Sequence, residues 1–301
     1  MQAVHESRWE LWWIASRPWT YTAAFVPIAL GSVLAWTQGA QVRPLLFFLT
    51  LLGGVSLQAA ANFLNTYGDY VSGVDSKENA SCPQLVRGLI SPRAMRNAGV
   101  SSLALGVLAG LYPVWVVGWP VLICGAIGVV GAACYTTGFF PYKYIGLGSV
   151  LVFFLMGPLM VVPAWYIQGG KGVLCPLAAS APIAFLVMAI LHGNELRDIE
   201  FDRKTGISTL AMRLGLRRSI ILYKSLFVGA YLSLFTLVLC SWLSVYALLP
   251  FILLPLIIKR LLQLHLQSSP ELIRWLAKQT GKMHFLFGGL LILGQAFSLL
   301  L

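Results

Sequence analysis

Charge is scarce in this sequence: of its 301 residues only 10% are Asp, Glu, Lys or Arg, whereas soluble domains carry roughly 25%. With 58% of residues hydrophobic and a mean hydropathy of +0.80, a water-soluble globule is excluded. Cysteine is thin as well. Cys82, Cys124, Cys134, Cys175 and Cys240 form no Cys-x-x-Cys pair, which argues against a disulfide framework or a zinc site; they read as packing residues. The glycine-rich loop ending in Lys and Ser or Thr that cradles nucleotide phosphates is missing, so nucleotide hydrolysis has no support. A removable signal peptide is not expected either. Acids and an Arg precede the first apolar stretch, and no small-residue cleavage site accompanies it.

What the sequence has instead is apolar runs, at roughly 19–38, 44–66, 98–117, 119–138, 145–166, 174–192, 219–240, 243–263 and 283–300. Most approach the ~20 residues a helix needs to cross a bilayer core, and together they leave no room for a separate soluble domain. The expected fold is therefore all-α, a polytopic transmembrane bundle of about nine helices. It forms a single domain over 18–301 behind an N-terminal interfacial segment, 1–17, whose Trp9, Leu11, Trp12, Trp13 and Ile14 suit a membrane surface. The net charge of +11 is sorted by this topology. On one side fall 18 of the 21 basic residues, against Arg43 and Lys171 on the other, so the crowded side, with the N-terminus, is expected to be cytoplasmic. Anionic headgroups, not nucleic acid, account for most of that charge.

Acids carry the functional signal. All four aspartates lie in two short windows, Asp69 with Asp75 and Asp198 with Asp202, and three of the six glutamates, Glu78, Glu195 and Glu200, lie beside them. The windows 65–75 and 194–202 open alike, as Asn65-x-x-x-Asp69 and Asn194-x-x-x-Asp198, and both members recur after 129 positions. That offset reads as an internal pseudo-repeat that brings both windows out on the same membrane face. Residues four apart share one face of a helix, so Asn194, Asp198 and Asp202 form an oxygen-bearing stripe. Two such stripes facing one cavity would repel unless a cation sat between them. Oxygen ligands without His or Cys favour Mg²⁺, which characteristically combines one or two carboxylates with substrate phosphate; a diphosphate is the natural third component.

Arg17, Arg87, Lys143 and Arg197 are the candidate cations for the remaining phosphate oxygens. His192 is a candidate base, and Tyr67, Tyr135 and Tyr142 are candidates to line a cavity that stabilises a carbocation. Repeats and intramembrane carboxylates also mark ion-coupled carriers, but those acids normally sit near the bilayer midplane, whereas these sit at one surface.

The stretches "NTYGDYVSGVD", "NELRDIEFDRKTGISTLAMRLG" and the linking "YTTGFFPYKYIGLGSVLVFFLMGP" resemble the UbiA superfamily of intramembrane aromatic prenyltransferases. The second stretch is most similar to the menaquinone branch, the 1,4-dihydroxy-2-naphthoate polyprenyltransferases. The resemblance runs from about Arg17 to Gly215 and is hydropathic beyond. It implies a nine-helix bundle around a lipid-open cavity, in a bacterial cytoplasmic membrane, with cytoplasmic loops capping the two Asp-rich motifs. It implies a polyprenyl diphosphate bound through Mg²⁺ and ionised, then attack by an aromatic acceptor, which in the menaquinone branch loses its carboxylate; the alternative acceptors of the superfamily are 4-hydroxybenzoate, a haem or a chlorophyll precursor. Asn65, Asp69, Asp75, Asn194, Asp198 and Asp202 match the metal-diphosphate positions, Lys143 and Arg197 match basic ones, and Arg17 lies in the Ser-Arg-Pro segment that precedes the first helix in relatives. Several features depart from the pattern, among them the segment "ENASCPQLVRG", which lacks the Arg usually found before Pro-Leu-Val. Thr66 stands where many bacterial relatives have Asp, Glu195 where Asn is frequent, and Ser149 where an acid commonly follows Gly-Leu-Gly.

Overall fold

A computed structural model describes residues 7–75, 80, 82–266, 268 and 270–299. Residues 1–6 of the N-terminal segment, and Glu78 beside the first acidic window, lie outside the described residues. The described part is helical, without a strand: α1 (Arg8–Ala15), α2 (Thr22–Thr37), α3 (Pro44–Val71), α4 (Pro92–Val117), α5 (Trp119–Ala133), α6 (Gly148–Met156), α7 (Pro158–Ile167), α8 (Leu174–Ala179), α9 (Ala181–Thr205), α10 (Leu210–Leu239), α11 (Leu254–Gln263) and α12 (Pro270–Phe297). Proline occupies the first turn of α3, α4, α5, α7 and α9, where its missing N–H costs no intrahelical bond. The α1 start is a capping box: Glu10 N–H donates to Ser7 Oγ over 3.2 Å, and Ser7 N–H donates to the Glu10 carboxylate over 2.8 Å.

Each expected apolar run coincides with a helical segment, but several spans are broken. Among the described residues six segments are long and apolar enough to cross a membrane, and the pair Arg8–Thr20 and Thr22–Thr37, bent by 48°, makes a seventh if it is one span. Trp119–Ala133 is a shorter apolar helix of 15 residues. Breaks fall where the sequence dictates, at Gly118 and Pro120 between α4 and α5 and at Gly157 and Pro158 between α6 and α7. This is a multi-pass membrane protein. Its outside is apolar, with Leu108 and Trp115 on α4 and Val228 and Leu232 on α10 exposed, a surface that lipid satisfies and water does not.

The interior is built around α9, which packs against α6, α10 and α12, while α2 lies against α7 and α12. Leu30 and Leu34 of α2, Ile183 and Leu186 of α9, Phe227 and Leu234 of α10, and Phe287 and Leu291 of α12 are fully buried in one cluster. A second cluster, with Ala15, Phe63, Leu85 and Met95, joins α1 to α3 and α4. The five cysteines are free thiols; Cys82 and Cys134 are buried in packing, whereas Cys240 is exposed.

Candidate active site

Helix α3 ends two residues after Asp69, and α9 carries Asn194, Asp198 and Asp202 in its last three turns. Both ends open onto one cavity, about 1350 Å³ of empty space including its mouth, lined at one end by Arg17, Asn65, Asp69, Asp75, Lys143, Asn194, Arg197, Asp198 and Asp202. Its other end is apolar, walled by Leu57, Val152, Leu155, Met156, Met160 and Ile190. Tyr135 and Tyr142 line it too, their rings edge to face at 5.5 Å.

At the first motif Asp69 is buried and its carboxylate is fully engaged. Lys143 Nζ lies 2.6 and 2.8 Å from its two oxygens, Asn65 Nδ2 donates over 2.7 Å, and Tyr144 Oη donates over 2.9 Å. The loop before α6 delivers Lys143, and it sits tightly against α3. Thr136 Oγ1 donates to Leu64 O over 3.2 Å, and a Cβ on Gly68 would come within 2.8 Å of Thr136 O. Glycine directly before Asp69 is therefore what lets the lysine loop approach. Burial and the Asp69 charge push the Tyr144 hydroxyl well above its usual range, so it stays a neutral donor. Beyond the helix, Asp75 N–H folds back onto Asp69 O over 3.1 Å. Burial, then the charge on Asp69, raise the Asp75 carboxyl to about 6.

Arg17 reaches the same motif from the turn before α2. Its guanidinium donates to Asn65 Oδ1 over 2.9 Å and to Thr66 Oγ1 over 3.2 Å, while its Nε is buried without a partner. The backbone there is left-handed, with φ 52°, a conformation uncommon for a residue with a side chain. Thr66, in place of a further carboxylate, thus serves as a seat for Arg17.

The second motif is held differently. Asp198 is paired with its own neighbour, Arg197, whose Nε and Nη2 lie 2.7 and 2.6 Å from the two carboxylate oxygens. Asp202 accepts from Thr209 Oγ1 over 3.3 Å; Thr209 is the residue before α10, and its hydroxyl faces Asp202 instead of capping that helix. Among the described residues no three His, Cys, Asp or Glu side chains converge into a metal cage. The oxygen donors are instead two aspartate pairs and two carboxamides around a shared space, which suits a divalent ion that takes its remaining ligands from a phosphate.

Three candidates stand apart from this cavity. His192 is fully buried, with Nδ1 3.3 Å from Glu195 and Nε2 3.1 Å from Ser219 O. Glu195 in turn accepts from Ser149 Oγ and Ala211 N–H over 2.8 and 3.2 Å. The histidine therefore ties α9 to α10 and has no free nitrogen for a base. Tyr67 packs on the cluster around Phe63, because it lies on the side of α3 that faces α1 and α4. Arg87 is exposed in the turn before α4 and is not among the cavity residues. The sequence reading missed Tyr144 and Thr209. Tyr144 adjoins Lys143, and Thr209 opens the Thr-Leu-Ala stretch, so proximity to a motif was their one signal.

Residues 24–287 match the profile of the UbiA prenyltransferase family. The chain belongs to that family. This UbiA enzyme is a prenyltransferase, which sets the carrier alternative aside, and the family match extends well past Gly215, where motif resemblance alone had stopped. It is 32% identical to the 1,4-dihydroxy-2-naphthoate octaprenyltransferase of Escherichia coli (strain K12), covering 96% of each chain. It is also 32% identical to UbiA prenyltransferase domain-containing protein 1 of Rattus norvegicus, covering 93% of this chain and 82% of that one. The fold agrees with a UbiA homolog from Archaeoglobus fulgidus whose structure holds DMAPP and Mg²⁺, with a TM-score of 0.56 at 20% identity over 93% of this chain and 98% of that chain.

Proposed function

We propose that this prenyltransferase moves a polyprenyl group from an allylic polyprenyl diphosphate to 1,4-dihydroxy-2-naphthoate with decarboxylation, in menaquinone synthesis. The reading rests on one observation: a single cavity has a polar end with two Asp pairs and three cations, and an apolar end made of Leu, Ile, Val and Met. The chemistry of that donor set favours Mg²⁺. Asn65, Asp69, Asp75, Asn194, Asp198 and Asp202 would hold it with the diphosphate, and the ion would stabilise negative charge on the departing diphosphate. Lys143, Arg197 and Arg17 would bind the remaining phosphate oxygens and favour the same charge as the carbon–oxygen bond breaks. The apolar end would take the isoprenoid chain and keep water from the allylic cation, with the Tyr135 and Tyr142 rings beside it. The name of the Escherichia coli relative supports the acceptor. The basic-residue count supports a cytoplasmic N-terminus and motif face, in a bacterial inner membrane.

The test is to incubate purified protein with Mg²⁺, geranylgeranyl diphosphate and a panel of aromatic acids and to read products by mass. A prenylated, decarboxylated naphthoate that disappears on chelation is expected. Transfer that survives exhaustive chelation would refute the metal's role, and a product from another acid alone would reassign the acceptor.

A further inference from the structure

Above the apolar wall, α3 carries a second polar step that no motif includes. Asn62 and Gln58 lie one and two turns deeper than Asn65, on the same face as Asn65 and Asp69, and both line the cavity. Each is more than nine-tenths buried. Their hydrogen bonds fix the orientation of the glutamine amide. The Thr20 hydroxyl gives its proton to Arg17 O over 2.9 Å, so its oxygen accepts, from Asn62 Nδ2 over 2.8 Å and from Gln58 Nε2 over 3.2 Å. Gln58 Nε2 also lies 3.4 Å from Asn62 Oδ1. The amide nitrogen is thus committed, and Gln58 Oε1 is left buried with no partner.

A buried carbonyl oxygen without a donor is destabilising, and such groups are rare unless a ligand completes them. The oxygen sits seven residues from Asn65 along the helix, about 10 Å, between the polar end of the cavity and the apolar chain site. On the reading under Proposed function, that is where the acceptor must lie to meet the reacting carbon. We propose that Gln58 Oε1 accepts a hydrogen bond from a phenolic hydroxyl of the aromatic acceptor, making Gln58 a specificity residue for acceptors that bear a hydroxyl there. Thr20 and Asn62 are positioning residues that hold its amide.

The test compares wild type with Gln58→Leu and Gln58→Met, using 1,4-dihydroxy-2-naphthoate and its two mono-O-methyl ethers with geranylgeranyl diphosphate and Mg²⁺. Wild type is expected to prefer the free dihydroxy acid over one ether by about tenfold or more in kcat/KM, since a site built for a hydroxyl rejects the analogue lacking it. Both variants should lose that preference through a higher acceptor KM, while the KM for the diphosphate and the thermal unfolding midpoint stay near wild type. Retention of the full preference in both folded variants would overturn the proposal, as would an equal rise in the diphosphate KM. If wild type transfers no prenyl group to any of the three acids, the proposed function fails instead, and the two failures are told apart by that control.

Discussion

The two acidic motifs repeat one spacing but hold their carboxylates by opposite means. Asp69 is fixed by groups brought from far along the chain, Lys143 and Tyr144, 74 and 75 residues away. Asp198 is held by the residue beside it. The side-chain exposures follow: 6% for Asp69 and 15% for Lys143, against 28% for Asp198 and 22% for Arg197. A pair made across the fold stabilises the fold, whereas one made within a single turn of helix leaves the helices free of it. The first motif should therefore couple activity to stability, and the second should not.

The sharpest way to break this contrast is the pair Asp69→Asn and Asp198→Asn. Both are expected to lose prenyl transfer by about a thousandfold or more, because metal and diphosphate would be lost together. Asp69→Asn alone should also lower unfolding stability by about 2 kcal/mol, since it strands the Lys143 ammonium in a half-dry site. Thermal unfolding in detergent checks this, and equal midpoints would erase the distinction. Next in size is Lys143→Met against Tyr144→Phe. The first removes a cation and should cost about a hundredfold in transfer; the second removes one neutral donor, worth about 1 kcal/mol or roughly fivefold.

The smallest effect concerns Asp75 and pH. Its carboxyl is raised to about 6 from 3.8 by burial and by Asp69, so the native ligand-free state binds the proton more tightly than the unfolded chain. Stability contributed by that proton is present below about pH 4 and is lost as pH rises to about 6. Asp75→Asn should accordingly raise the unfolding midpoint at pH 7 and leave it unchanged at pH 4. A gain of the same size at both values would mean that the effect is not the charge.

Much of the site was legible because acids are rare here: in an apolar chain, four aspartates in two windows stand out without any structure. Asn65, Asp69, Asn194, Asp198 and Asp202 share helix faces by spacing alone, and the structure puts all five on the cavity. His192 defeated the same logic. It lies two residues before Asn194, which turns it to another face of α9, toward Ser219 of α10. Tyr67 likewise lies two residues from both Asn65 and Asp69 and packs on the cluster that holds Phe63. Gln58 left no trace beyond being polar in an apolar run, since its meaning depends on the Thr20 hydroxyl, whose own proton goes to Arg17 O, accepting from its amide nitrogen.

By itself the sequence determined the membrane class, the places where helices break, the family and the two carboxylate stripes, because hydropathy, proline and helical period act over short stretches of chain. Tertiary structure alone decided that Asp69 meets Lys143 and Tyr144, that His192 ties α9 to α10, and that the buried Gln58 amide oxygen is left waiting for a donor. Those outcomes depend on distances of a few ångströms between segments far apart in sequence, set by how helices such as α3 and α9 pack against their neighbours.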